Sequence, residues 1–382
     1  MSNNKLYLDV TRYYFRKIHS KSLSGIDRVS ELYIKYFLNN QFNLCIFNYI
    51  FFRKLSSYET NFLFKKKIYL YELFFLYIYQ IISLLFFFLF FIKFYKAKIF
   101  NVSHSWLQHR YVWKILTYLK AKIIVMIHDL IPINFPEFSI PKEYKRHSKR
   151  ITNTLRYSEN IITNSKYTKE ALLKFSKIKK IKSKNKIIIS HLPVNLFLKN
   201  KINYKLKKNY FVILGNIEPR KNHIFLFEIW KKLIKEKNPP YLYIIGRRGW
   251  ECEQAIDYLD RSVDLKKYII EINKADDALL IKILKNAKAL LTPSYTEGFG
   301  IIIHEAIQLG TPVIASNLSV FKESAKNIPD YIDILDGKKW LNTISDYNKK
   351  TSQLRSAQLK RIKKYQPISS EDHFKLIKNL FH

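Results

Sequence analysis

Two glutamates eight residues apart, Glu297 and Glu305, are separated by a short glycine-bearing loop and the start of an apolar-periodic segment. Paired carboxylates serve either as acid and base or as acceptors for the hydroxyls of a sugar, and the surroundings favour the second. Gly298 and Gly300 let backbone N–H groups approach a ligand with no Cβ in the way, and a helix that begins here turns its positive end toward an anion such as phosphate. A carboxylate accepts from both hydroxyls of a cis-diol at once. Taken singly, Glu297 is an ordinary loop charge and Glu305 a solvated helix residue. The binding reading rests on the strand, loop and helix around them.

A second group with chemistry lies at Gly215-Asn216-Ile217-Glu218-Pro219-Arg220-Lys221-Asn222, directly after the apolar run Tyr210 to Leu214. Adjacent cations at a helix start oppose the helix dipole unless something anionic is bound there. Arginine grips phosphate through two N–H donors, whereas lysine acts as a point charge. A third candidate is His128, which with Asp129 ends the apolar strand Lys122 to Ile127. The turn Gly246-Arg247-Arg248-Gly249-Trp250 follows another strand, where the glycines permit a tight turn and Trp250 lines a pocket or packs in a core. Gly25 and Arg28 stand in Ser24-Gly25-Ile26-Asp27-Arg28 before an amphipathic helix, where taken singly Gly25 is a turn residue and Arg28 a surface charge. No Asp-x-Asp motif and no His/Asp cluster at ligand spacing appears, so no metal is expected.

The elements that must hold these residues are those of parallel sheets. Leu290 to Ser316 reads as strand, Gly-rich loop, helix Ile301 to Leu309, Gly310 cap and a second buried strand through Val313, one β-α-β unit. Ligands of such sheets bind at the strands' carboxyl ends, where the loop lies. Strands are expected at Leu6 to Val10, Asn43 to Phe52, Lys98 to Val102, Lys122 to Ile127, Ile161 to Ser165 and Ile187 to Ile189. Others follow at Tyr210 to Leu214, Leu242 to Ile245, Ile269 to Ile272 and Ile332 to Asp336. Helices fall between them, at Trp106 to Lys120, Tyr167 to Phe175 and Ala278 to Asn286 among others, with Ser165 capping one.

Several motifs together resemble one family. Glu-Gly-Phe-Gly, the second Glu eight positions on, Ala-x-x-x-Gly-Thr-Pro-Val-Ile-Ala-Ser and the preceding Pro-Ser are similar to the nucleotide-sugar half of retaining glycosyltransferases of family four. Glu-Pro-Arg-Lys-Asn resembles the family's phosphate-binding turn, His-Asp-Leu-Ile-Pro the segment whose His faces the donor sugar, and Ser-Gly-Ile-Asp-Arg-Val a short form of its first loop. The likeness departs at Ile302, Ile303 and His304, and at Asn216, where many members place an arginine whose charge Arg220 takes over. It covers nearly all of the chain except about 57–96. What it implies is a GT-B fold: α/β, two Rossmann-like doubly wound domains facing a central cleft. The expected division is 1–200 on the acceptor side, 201–365 for the nucleotide sugar, and a C-terminal helix in 366–382 returning to the first domain, with Asn195 to Lys208 as hinge.

The implied activity is metal-independent transfer of a hexose, best mannose from GDP-mannose, from a nucleotide diphosphate sugar to a glycan or lipid-linked acceptor of surface polysaccharide or lipopolysaccharide. Configuration is retained, with the leaving phosphate taking the acceptor proton. On this resemblance Glu297 holds the donor hydroxyls, Glu305 the ribose, Lys221 and Arg220 the diphosphate, and His128 the sugar. Gly298, Phe299, Gly300, Ile301, Gly215, Asn216, Gly246, Arg248 and Gly25 line the donor. No cofactor beyond the nucleotide sugar is implied.

Length and composition bound these readings. At 382 residues the chain exceeds one ordinary core, so two domains are expected. A net charge of +37 fits nucleic acid or an anionic membrane, yet the joint richness in Lys, Ile, Asn, Phe and Tyr discounts it. The aromatics sit in apolar runs rather than interleaved with lysine, so no nucleic-acid partner is expected. A non-catalytic basic binding protein leaves the Gly-rich loops unexplained, and a sugar-nucleotide epimerase shares the donor half. The two cysteines, Cys45 and Cys252, lack metal or disulfide spacing and fit a reducing compartment. No export signal is read at the N-terminus.

Leu73 to Ile92 carries no charge for twenty positions, enough to span a bilayer. A single crossing splits the first sheet, so a helix or hairpin lying in the interface, or dipping and returning, is expected; the alternative is a buried core helix. Tyr69, Tyr71, Tyr77 and Tyr79 suit a headgroup belt, and Lys65, Lys66, Lys67, Lys93, Lys96 and Lys98 flank it. The expected address is the cytoplasmic face of the inner membrane, with peripheral or monotopic attachment. The run of seven lysines from Lys174 to Lys186 reads as a solvated helix and linker.

Overall fold

The computed structural model describes residues 5–19, 25–48, 51–65, 69–85, 92–194 and 204–380. Apolar runs of three to six residues bounded by turn residues become strands, nearly all parallel and most of them buried. Thirteen of them build two sheets among the described residues. The first holds β1 (Leu6–Asp9), β2 (Asn43–Asn48), β3 (Phe51–Lys54), β4 (Lys98–Asn101), β5 (Lys122–Ile127), β6 (Asn160–Thr163) and β7 (Lys186–Ile189), in the order β3-β2-β1-β4-β5-β6-β7. The second holds β8 (Tyr210–Leu214), β9 (Tyr241–Ile245), β10 (Ile269–Ile272), β11 (Leu290–Thr292), β12 (Val313–Ser316) and β13 (Asp330–Ile332), in the order β10-β9-β8-β11-β12-β13. Pairing is parallel except between β2 and β3. Both sheets start at the middle, wind outward one way, then return and wind the other, which is the doubly wound Rossmann order.

The chain divides into two compact units. Met1–Ile133, Lys142–Ser190 and Glu371–His382 form the first; Asn134–Pro141 and His191–Ser370 form the second. The join expected at 200 lies in 195–203, outside the described residues, as does most of the expected hinge; the units themselves part at Ser190 and His191. Each has its own core. In the first, Trp106, Trp113, Val125 and Ile161 are buried together. In the second, Trp230, Trp340, Ile244 and Leu291 are. The C-terminal helix Ser370–Lys378 packs within the first unit: Phe374 stacks on Tyr36 at 3.6 Å, and His373 hydrogen-bonds Tyr33 and Ser190 through its two ring nitrogens.

The structure corrects two expectations and one alternative. Asn43 to Phe52 is not one strand: β2 and β3 pair antiparallel, Phe47 opposite Phe52, and burial of both aromatic faces selects the hairpin over a longer strand. The last strand is Asp330–Ile332 rather than Ile332 to Asp336, because Asp333 accepts from the Leu335 N–H and Asp336 caps the helix Gly337–Asn348. Side chains that bond their own backbone divert it from the ladder. For the apolar stretch, the alternative of a buried core helix does not hold among the described residues. Helix Leu70–Leu85 buries Glu72 and Leu76 but leaves Leu70 84% and Phe74 63% exposed, and 86–91 lie outside the described residues. Among the described residues no helix is long and apolar enough to cross a membrane.

That helix rests on a buried ion pair. Arg53, wholly buried on β3, faces Glu59 through two N–H groups at 2.8 and 2.5 Å, and the Tyr14 hydroxyl donates to the same carboxylate at 2.7 Å. Glu59 also completes a capping box with Ser56. On the other side the Tyr79 ring lies 5.0 Å from the Arg53 guanidinium. Removing one member of a buried pair strands the other's charge, at a cost of about 3–5 kcal/mol, whereas replacing both by apolar groups is near neutral. Arg53→Ala should therefore lower unfolding stability by about 3–5 kcal/mol in urea titrations followed by circular dichroism, with Arg53→Met plus Glu59→Leu recovering most of it. Equal losses in the single and double variants would contradict the assignment.

Candidate functional site

In the second sheet the strand order reverses between β8 and β11, neighbours in space though β9 and β10 separate them in sequence. Side chains after their carboxyl ends converge. The Arg220 guanidinium reaches Glu297 at 2.8 Å and Glu218 at 2.6 Å, and the Lys221 ammonium reaches the other Glu297 oxygen at 2.5 Å. Ser294 donates to Glu297 at 3.1 Å, and the Tyr295 N–H donates to the Arg220 carbonyl at 2.9 Å, tying loop to turn. Glu297, Lys221 and Glu218 are all buried. Burial alone pushes the Glu297 carboxyl up, but Arg220 and Lys221 more than offset it and hold it down at about 2.

Glycines make this approach possible. Gly215, at φ +124°, lies under the Lys221 side chain: a Cβ there would stand 3.2 Å from the lysine Cε. At Gly246 a Cβ would fall 2.0 Å from the Gly215 carbonyl oxygen, so the tips of β8 and β9 meet backbone to backbone. Gly300, at φ +82°, caps the helix Ile301–Gln308, and the Phe321 ring occupies the space a side chain would take. Gly298 and Phe299 are buried in the loop, Ile301 opens the helix half-buried, and Glu305 is buried one turn on.

Around these charges, polar atoms of Asn222, His223, Thr292 and Thr296 are buried without a hydrogen-bond partner. Buried polar groups are ordinarily satisfied, so such a set at adjoining strand tips suits a polar ligand. Burial, then Lys221, drives His223 down to about 3, which keeps it neutral.

The other expected residues lie apart from this cluster. Arg248 is engaged by Asp260 at 2.6 and 2.8 Å and by Glu271 at 3.0 and 3.1 Å, on the surface. Asn216 is exposed, its side-chain oxygen accepting from the Arg247 N–H. Trp250 donates to the Phe138 carbonyl at 3.4 Å, and Phe138 stacks on Tyr295 at 5.3 Å, so the segment Asn134–Pro141 belongs to the second unit. Gly25 opens the exposed start of helix Gly25–Asn39, while 20–24 lie outside the described residues.

In the first unit His128 is buried at the tip of β5, and its Nε2–H donates to the Val102 carbonyl at 2.7 Å. Its ring lies 5.2 Å from that of His104, itself 5.6 Å from His147. Burial pulls all three below the ordinary histidine range. Among the described residues no group of His, Cys, Asp and Glu is placed to hold a metal ion.

Sequence reasoning assigned no role to Ser294 or Glu218, though each stands inside a motif that carried the resemblance. It also missed Asp9, fully buried at the tip of β1, which accepts from the Thr11 N–H, Asn101, Ser105 and Trp106. A lone carboxylate ending an apolar strand was the available signal. His304, the departure within the motif, stacks on Phe299 at 5.0 Å and bonds the Tyr365 hydroxyl at 2.8 Å. Burial and then His191 bring it down to about 4.

The Glu297 arrangement sets a pH dependence. The carboxyl ionises near 4.5 when unfolded and near 2 when folded, so its stabilisation is full above pH 4.5 and is lost as pH falls toward 2. The shift corresponds to stability on the order of 3 kcal/mol. Glu297→Gln should be less stable at pH 7 and lose less than the parent between pH 7 and pH 3 in urea titrations. An unchanged difference between the two pH values would show that the carboxylate is not held this way.

Residues 195–328 match the family model for glycosyl transferases group 1. The serotype-specific mannosyltransferase WbdA of Escherichia coli is 32% identical over 116 residues, 30% of this chain and 14% of that protein. The O-antigen chain mannosyltransferase RfbU of Salmonella typhimurium is 27% identical over 223 residues, 58% of this chain and 60% of that protein. The chain thus spans less than two thirds of either relative. Among solved structures, Anabaena Alr3699/HepE in complex with UDP-glucose aligns over 98% of both chains at 12% identity and a TM-score of 0.64. The lipopolysaccharide outer core galactosyltransferase WaaB aligns over 98% of both at 16% identity and 0.56. These structural likenesses show the fold, GT-B.

Proposed function

We propose that this chain, a GT-B protein whose second unit carries a glycosyl transferases group 1 domain, moves a hexose from a nucleotide diphosphate sugar to a glycan acceptor. The observation that carries the reading is the convergence of Arg220 and Lys221 on one buried carboxylate at the switch point of a doubly wound sheet. As the bond from the anomeric carbon to the phosphate oxygen breaks, charge accumulates on the departing diphosphate. Cations fixed beforehand in a water-poor site stabilise that change most. The Lys221 ammonium has three N–H donors, of which Glu297 requires one.

The acceptor oxygen attacks from the face the phosphate leaves, its proton passes to the departing phosphate oxygen, and the products are the retained glycoside and the nucleotide diphosphate. No carboxylate nucleophile is required. Glu297 accepts from donor hydroxyls while held in place by Ser294 and the two cations, and Glu305 accepts from the ribose. His128 is assigned to the hexose by the family resemblance. Arg220 and Lys221 supply the charge a metal ion otherwise supplies, so we infer that no divalent cation is required.

The similarity to mannosyltransferases of O-antigen synthesis supports mannose from GDP-mannose as donor. The acceptor we infer to be a lipid-linked glycan met at the cytoplasmic face of the inner membrane. Nucleotide release should depend on a donor of this class and accelerate with acceptor. Lys221→Ala and Glu305→Ala, each removing a charged contact in a closed site, should slow transfer well over tenfold, roughly the loss of one or two charged hydrogen bonds. Parental rates in both folded variants would remove the site assignment, and conversion of the donor to an isomer without nucleotide release would favour an epimerase. EDTA should leave the rate unchanged.

A further inference from the structure

Helix Leu70–Leu85 has two unlike faces. Inward, Glu72 and Leu76 are buried, and Tyr79 meets Arg53. The Glu72 carboxylate takes the Lys65 ammonium and the Tyr69 N–H, so the helix's one charge is neutralised and turned away from water. Outward, Leu70, Phe74, Tyr77 and Ile81 follow one another at helical spacing, with Tyr71 and Phe75 alongside, all exposed. A surface helix of a globular protein normally puts its charged residues on this side.

We propose that this outward face docks on an anionic lipid bilayer. Charge selects the occupant. The chain carries +37, Lys65, Lys66 and Lys67 precede the helix in sequence, and Lys93 and Lys96, both exposed, follow it. Two copies bearing such charge repel, and the apolar face has no polar pair to set their register; an anionic surface attracts both the lysines and the protein as a whole. Helix Leu70–Leu85 extends about 24 Å at 1.5 Å per residue, short of the roughly 30 Å a crossing takes, and its Glu72 and Leu76 stay buried against the protein, so the helix lies along the interface. Its tyrosines carry hydroxyls to headgroup level while their rings enter the apolar layer. The bilayer deepens the proposed function by bringing the enzyme to a lipid-linked acceptor, although the surface is argued without reference to catalysis.

Flotation with phosphatidylcholine vesicles, with and without phosphatidylglycerol, tests this directly. The parent should float with the anionic vesicles at low salt and much less with neutral ones. Phe74→Glu with Ile81→Glu, both at exposed positions, should cut binding about tenfold or more, with an unchanged circular dichroism spectrum and unchanged turnover of a water-soluble acceptor. A parent that ignores anionic vesicles, or a double variant that floats as well as the parent, would overturn the proposal. So would a parent dimer in sedimentation that the double variant dissolves without any vesicle binding. Vesicle binding by a protein with no turnover would sustain this surface and count against the transfer reading alone.

Discussion

One buried carboxylate shared by two adjacent cations holds the second unit's strand tips in their working arrangement. Arg220 and Lys221 are consecutive, and like charges so close repel unless an anion stands between them. Glu297 is that anion, and the reach is possible because β8 and β11, far apart in sequence, are neighbours in the sheet. Ser294 fixes the carboxylate from below and Glu218 takes part of the arginine. On the proposed reading, the cluster is a preassembled phosphate site in which the protein's own carboxylate occupies part of the cations' capacity.

Backbone geometry makes this cluster compact. Gly215 gives Lys221 a flat bed, and Gly246 lets two strand ends touch. Gly300 turns the loop into the helix beside Phe321, leaving Phe299 to stack on His304. His304 bonds the Tyr365 hydroxyl, which explains how a histidine is accommodated within this motif: its imidazole is buried and neutral, and acts as a packing surface with one hydrogen bond.

The first unit spends its buried polar groups differently. Asp9 gathers donors from four residues at the tip of β1, and His104, His128 and His147 each give a ring N–H to a backbone carbonyl. These bonds fix the tautomer, so each histidine offers Nδ1 as an acceptor when neutral. The Arg53–Glu59 pair meets helix Leu70–Leu85 at the Tyr79 ring, and Lys65 with the Tyr69 N–H holds that helix's Glu72 in its buried place. The helix's apolar side is left outward as a consequence.

The sequence alone determined most of the strands, their parallel pairing and the placing of Glu297 in a glycine loop, because apolar runs, glycines and helix caps act over a few residues. It also placed Arg220 and Lys221 at a strand end, and the motif likeness pointed to a GT-B fold. Tertiary structure decided what lies far along the chain. It joined Glu297 to Arg220 and Lys221 across 76 residues, and it diverted Arg248 to Asp260 and Glu271. It folded Phe51–Lys54 back into a hairpin, and it chose which face of helix Leu70–Leu85 would turn inward, where Tyr79 meets the buried Arg53. Those outcomes depend on which strand tips become neighbours and on where a buried charge must find its partner, and neither is written in local spacing.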